Sequence, residues 1–213
     1  LKNLNDNPKI AISFTEGQNV NSYGKFIKKI VSPFKSDNNN LYFENIYPLL
    51  LENYNFFITP TMVFRTDVFL KNSYKWNYKD FKSSSDLALW LEVSRKYQIS
   101  IVKKNMISVR LSSNQGSSAV RNKIFKSDFF LVVEHFNNLF TTNKSNKYFV
   151  KQNMKLLNAR ENLRILSNLI YYKEYGEIKN YFSKSFCLDI LFKLHKKKYL
   201  FHIFLLFTLI TFN

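Results

Sequence analysis

The sequence predicts an α/β fold, a mixed sheet with flanking helices followed by an all-helical extension, and three observations predict it. Up to about residue 120, β-rich apolar runs alternate with segments of helical period. Beyond Arg121 only helical periodicity remains, joined by connectors rich in Thr, Asn, Ser and Lys. Apolar residues make up 46% of the 213, enough to bury a core, which excludes a disordered or collagen-like chain. The boundary is therefore expected between residues 1–120 and 121–213.

The elements follow in order. Lys9–Thr15 and Lys25–Val31 read as two strands joined by the turn chemistry of Asn21-Ser-Tyr-Gly24. Ser36–Asn40 reads as a surface loop. Tyr42–Glu52 carries Phe43, Ile46, Tyr47, Leu50 and Leu51 at helical spacing. Phe56–Phe64 reads as a buried extended run interrupted at Pro60. Ser84–Tyr97 is the clearest helix of this half, with Leu87, Trp90, Leu91 and Val93 on its inner side, and short strands are expected at Ile99–Val102 and Ile107–Arg110. Helices are expected at Ile124–Phe140, Phe149–Tyr172 and Phe186–Leu194.

Charge and cysteine content narrow the function classes. A single Cys187 excludes a disulfide framework or a cysteine zinc cluster and fits a reducing, cytosolic setting. His135, His195 and His202 lie far apart, so the sequence shows no metal-ligand spacing. The net charge of +17 suggests nucleic acid, yet 26 of the 32 basic residues are Lys and 6 are Arg, the side chain that base-edge and bidentate phosphate recognition favours. No nucleic-acid partner is expected on that ground. The chain opens with Leu1 and no basic-then-apolar leader, which reads as a sequence whose true N-terminus lies upstream. It ends in Lys196-Lys-Lys198 and 14 mostly apolar residues, Tyr199–Phe212, which reach about 21 Å as a helix against ~30 Å of hydrocarbon. That tail fits attachment to an anionic membrane surface, and equally a final core helix with a collar of solvated lysines.

Chemistry concentrates at Ser83-Ser-Ser-Asp86, at the start of the Ser84–Tyr97 helix. In one reading Ser83 and Asp86 form a capping arrangement, worth about 0.5–2 kcal/mol. In the other Asp86 faces a cleft and serves as a general base. Both stay open on the residues alone.

Asn7-Pro8-Lys-Ile-Ala-Ile-Ser13, Asn19-Val-Asn-Ser-Tyr-Gly24, Asn55-Phe-Phe-Ile-Thr-Pro60-Thr-Met-Val-Phe64-Arg65-Thr-Asp-Val-Phe69, Ser85-Asp86-Leu-Ala-Leu-Trp90-Leu91 and Val109-Arg110 stand in one order. In that order and approximate spacing, residues 1–120 resemble the acceptor-binding second half of the catalytic domain in bacterial family 2 glycosyltransferases. The resemblance implies a partial GT-A-like mixed sheet. It implies Asp86 as the base that deprotonates the acceptor hydroxyl, with Ser85 where relatives often carry Glu. It places Thr59, Thr61 and Trp90 at the acceptor, and Arg110, Gln115 and Ser117 at the donor diphosphate; Arg65 matches a structural position. Ser112 stands where many relatives have His.

Relatives also carry an Asp-x-Asp motif that holds a divalent metal, Mg or Mn, on the diphosphate. No Asp-x-Asp occurs in this chain, so no metal ligands are expected in it, and the sequence reads as a part lacking the donor half. The function implied is transfer from a nucleotide-sugar donor to a glycan or lipid-linked acceptor in surface polysaccharide assembly, in the cytoplasm or on the inner face of the plasma membrane. The alternative is a non-catalytic basic module for membrane or RNA, which predicts Lys interleaved with aromatics on an exposed sheet.

Overall fold

Ile10–Val20 (β1) is almost wholly buried and runs through the middle of a five-stranded mixed sheet. It lies parallel to Gln98–Arg110 (β5), from Ile10 opposite Gln98 to Val20 opposite Arg110. Phe26–Ile30 (β2) and Val63–Phe64 (β4) pair antiparallel with β1, and Asn38–Leu41 (β3) pairs antiparallel with β5. The computed structural model describes residues 2–111 and 124–185; the expectations for Gln115, Ser117, Phe186–Leu194 and Lys196–Phe212 lie outside them.

The hairpin between β1 and β2 follows the expected chemistry. The Asn21 side-chain oxygen accepts the N–H groups of Tyr23 and Lys25, at 3.0 and 2.9 Å, and Gly24 takes φ 81°, a region that suits glycine. Two expectations are corrected. Ser36–Asn40 is not all loop: Asn38 and Leu41 pair with Ile101 and Ile99. An edge strand exposes one side to water, so its Asn run resembles loop composition, while Leu41 enters the core. The two short strands near the end are one, β5. Its polar stretch Lys103–Asn105 is absorbed as an irregularity, where Thr15, Glu16 and Gly17 face Val102, Asn105 and Ile107.

Glu16 pins that irregularity. Its carboxylate accepts the Ser32 N–H and hydroxyl, both at 2.9 Å, and pairs with the Lys103 ammonium at 2.8 Å, which also donates to Phe34 O. Burial pushes the Glu16 carboxyl up, and the Lys103 and Ser32 donors together outweigh it, leaving it below the ordinary carboxylate range. A depressed carboxylate stabilises the fold above its unfolded pKa, near 4.5, and that contribution is lost as pH falls through the folded value. Glu16→Gln should therefore flatten the fall in stability below about pH 4.5 and cost about 2–3 kcal/mol at pH 7. Urea unfolding across pH 3–7 measures both.

Phe43–Asn53 (α2) buries Phe43, Ile46, Tyr47, Leu50 and Leu51, as the spacing predicts. Lys2–Asp6 (α1), Thr66–Lys71 (α3) and Tyr78–Phe81 (α4) are short, and Ser85–Ser94 (α5) is the Asp86-bearing helix. Phe129–Phe140 (α6), expected with the extension, packs on α2 instead. Tyr47 donates its hydroxyl to Val133 O at 2.7 Å, and Phe43 and Tyr47 contact Phe136 and Phe140. Periodicity shows that a helix has an apolar face, not which partner covers it.

The described residues thus form two compact units: 2–111 with 127–151, and 124–126 with 152–185. The second unit is helical. From the long helix Lys144–Tyr171 (α7) it takes Leu163, Ile165, Leu166 and Leu169, which pack with Ile178, Tyr181 and Phe182 of Ile178–Ser185 (α8). Arg164 there pairs with buried Glu161 at 2.8 Å and donates to Phe125 O at 2.7 Å. Among the described residues no helix is long and apolar enough to cross a membrane.

Candidate functional site

The site is assembled from two segments 27 residues apart. Pro60 cannot continue the ladder, so the Phe56–Phe64 run turns at Thr59–Thr61 as a 3₁₀ turn before β4. Thr61 fixes this turn to the sheet: its hydroxyl accepts Thr15 N–H at 3.0 Å and donates to Ile58 O at 2.8 Å. The turn presents Thr59 to the first turn of α5, where the Thr59 hydroxyl donates to Asp86 Oδ2 at 2.7 Å. Asp86 Oδ1 accepts the N–H of Leu87 at 2.7 Å. Both Thr59 and Asp86 are half-buried.

The capping arrangement that competed for Asp86 does not form. Ser84 rather than Ser83 precedes α5, with no side-chain cap, and Ser83 instead bonds to the Asp128 carboxylate through both its N–H and its hydroxyl. Asp86 is left with one backbone donor, one side-chain donor and a partly open carboxylate, held where the helix dipole stabilises negative charge. Such a group can take a proton from a hydroxyl brought against it.

The other expected site residues divide. Thr61 is 8% exposed and its hydroxyl is engaged with the backbone, so it builds the turn and does not line an open pocket. Trp90 is 0% exposed, with its ring against Phe14, Phe69 and Trp76, which makes it a core residue one helical turn along α5 from Asp86 and closes it to an acceptor. Arg65, read as structural, is so: its guanidinium bonds the carbonyls of Leu4, Asn7 and Ile10 and ties α1 to β1. Arg110 is exposed at the far end of β5 and donates to Ser22 O at 2.6 Å. It pairs with Val20, five residues beyond Thr15 and so about 17 Å along β1 from the Thr61 contact. The structure brings Thr59 and Asp86 together and leaves Arg110 apart from them.

Two residues next to the site were not singled out from sequence. Trp76 and Tyr78 are exposed, and their rings lie near-parallel, 6.3 Å apart and 20° between planes. The signal was a Trp and a Tyr inside Lys75-Trp-Asn-Tyr-Lys79, too polar a run to be core. Among the described residues no group of three or more His, Cys, Asp or Glu side chains is placed to hold a metal ion.

Comparison with known proteins adds no identity: no family model, no curated protein and no solved structure matches this chain.

Proposed function

We propose that this chain is the acceptor-binding part of an inverting glycosyltransferase of surface-glycan assembly, with Asp86 as the base. The observation that carries the reading is the 2.7 Å contact between Thr59 and Asp86, because it joins two of the five segments on which the resemblance rests. The acceptor hydroxyl gives its proton to the Asp86 carboxylate as its oxygen bonds to the anomeric carbon. The bond from that carbon to the nucleotide diphosphate breaks on the opposite face, and the diphosphate departs with the electron pair. Thr59 positions the carboxylate by holding its other oxygen. A nucleotide-sugar donor, a glycan or lipid-linked acceptor, and an anionic membrane surface on the cytoplasmic side are the partners this reading carries. The metal-bearing donor half belongs to the resemblance and not to residues of this chain.

The test is transfer. The full-length gene product should move labelled sugar from a nucleotide-sugar donor to a glycan or lipid-linked acceptor with inversion at the anomeric carbon. Intact donor after incubation with folded protein and a panel of acceptors would count against the reading.

The alternative, a non-catalytic basic binding module, draws on one specific observation. In β2 and its turn, Tyr23, Phe26 and Ile27 are exposed alongside Lys25, Lys28 and Lys29. That is the pattern of Lys and aromatics on an open strand which such a module requires. Binding to anionic vesicles or RNA that Lys28→Glu and Lys29→Glu abolish, in a protein without transfer activity, would favour it.

A further inference from the structure

Trp76 is 42% and Tyr78 65% exposed, a large aromatic surface to leave in water. Both rings are held rather than loose. Trp76 stands edge-on against buried Trp90, centroids 5.2 Å apart at 79°, and Tyr78 lies near-parallel to Trp76. Ser73 and Lys82, at φ 53° and 47°, fix the backbone on either side of the segment. Trp90 is one helical turn from Asp86 on α5, so one turn of helix and one ring contact separate the platform from the carboxylate.

The surroundings indicate what would lie on it. The axial and ring C–H groups of a pyranose carry partial positive charge and match the negative face of an aromatic ring, while its hydroxyls project at the rim and need polar partners. Asn77, exposed between the two rings in sequence, donates its amide to the exposed carboxylate of Asp80 at 2.8 Å and accepts the Asp80 N–H at 3.1 Å, which caps α4 and fixes the chain between the two rings. Residues 71–82 carry exposed Lys71, Lys75, Lys79 and Lys82 against that one acid, so the local charge is positive.

We infer that Trp76 and Tyr78 form a stacking subsite for a pyranose ring of an anionic glycan, a carboxylated or phosphorylated sugar, next to the Asp86 carboxylate. This deepens the glycosyltransferase reading and rests on it for the identification of the glycan as acceptor. The stacking itself rests on the exposed rings.

Calorimetric titration of the chain with hexagalacturonate, cellohexaose and poly(U) tests it. Hexagalacturonate should bind saturably, cellohexaose about tenfold more weakly, and Trp76→Ala should weaken hexagalacturonate binding about tenfold, the loss of one stacking contact. Trp76→Phe should retain most of the affinity. Tyr78→Ala, at the more exposed ring, serves if Trp76→Ala does not fold. Absence of hexagalacturonate binding, unchanged binding in both alanine variants, equal affinity for the neutral hexamer, or a Trp76-dependent preference for poly(U) would each overturn the assignment. Hexamer binding by a full-length product that transfers no sugar would retire the glycosyltransferase reading and leave the subsite standing. Transfer with Trp76→Ala binding unchanged would do the reverse.

Discussion

Asp86→Asn should lower sugar-transfer turnover by a factor on the order of 10²–10⁴, or about 3–5 kcal/mol in the barrier. Asparagine keeps the size of the side chain, with an amide oxygen that can accept the Leu87 N–H as Oδ1 does and an NH2 in the place of Oδ2 that can donate to the Thr59 hydroxyl oxygen. What it removes is the ability to take a proton. The acceptor oxygen must then attack while still protonated, or lose its proton to water, and general-base assistance disappears. Thr59→Val should show a smaller loss, because it leaves the base in place and removes only the hydroxyl that orients it. The two variants together separate proton transfer from positioning.

Trp90→Ala should destabilise the first unit by about 3–5 kcal/mol, a large part of the ~5–15 kcal/mol that typically holds a domain. Trp90 is wholly buried and touches three aromatic rings from three different segments, Phe14 of β1, Phe69 of α3 and Trp76. Truncation leaves a cavity that these rings, each fixed by its own packing, cannot collapse to fill. Trp90→Phe should cost far less. The indole Nε1 is buried with no hydrogen-bond partner among the described residues, so the smaller ring loses volume but also removes an unsatisfied donor. Urea unfolding of both variants gives the two values.

Most of the first unit was legible because its signals are local. The hairpin turn at Asn21–Gly24, the spacing of Phe43 to Leu51 and the apolar face of α5 each follow from neighbours within a few residues. Pairing was less legible. An Asn-rich edge strand and a polar bulge in β5 both look like loop, since the strand is specified by its partner rather than by its own residues. The placement of α6 against α2 was invisible for the same reason. In the site, sequence named Asp86 and Thr59 but not their contact, which depends on how the Pro60 turn is pinned to Thr15. It assigned Trp90 to the acceptor because the aromatic residue lies in the matching segment, and burial makes it a core residue instead. The exposed rings of Trp76, which lies against Trp90, and Tyr78 belong to a segment without periodicity, where only composition spoke.

The Asp86 carboxylate either does chemistry or merely tethers the start of α5. Turnover and melting temperature measured on one preparation of the full-length Asp86→Asn protein decide between them. If Asp86 is the base, turnover per folded molecule should fall on the order of 10²–10⁴-fold with a melting temperature within about 2–3 °C of the parent. A melting temperature lowered by several degrees with turnover per folded molecule unchanged would contradict that role and make Asp86 a structural residue.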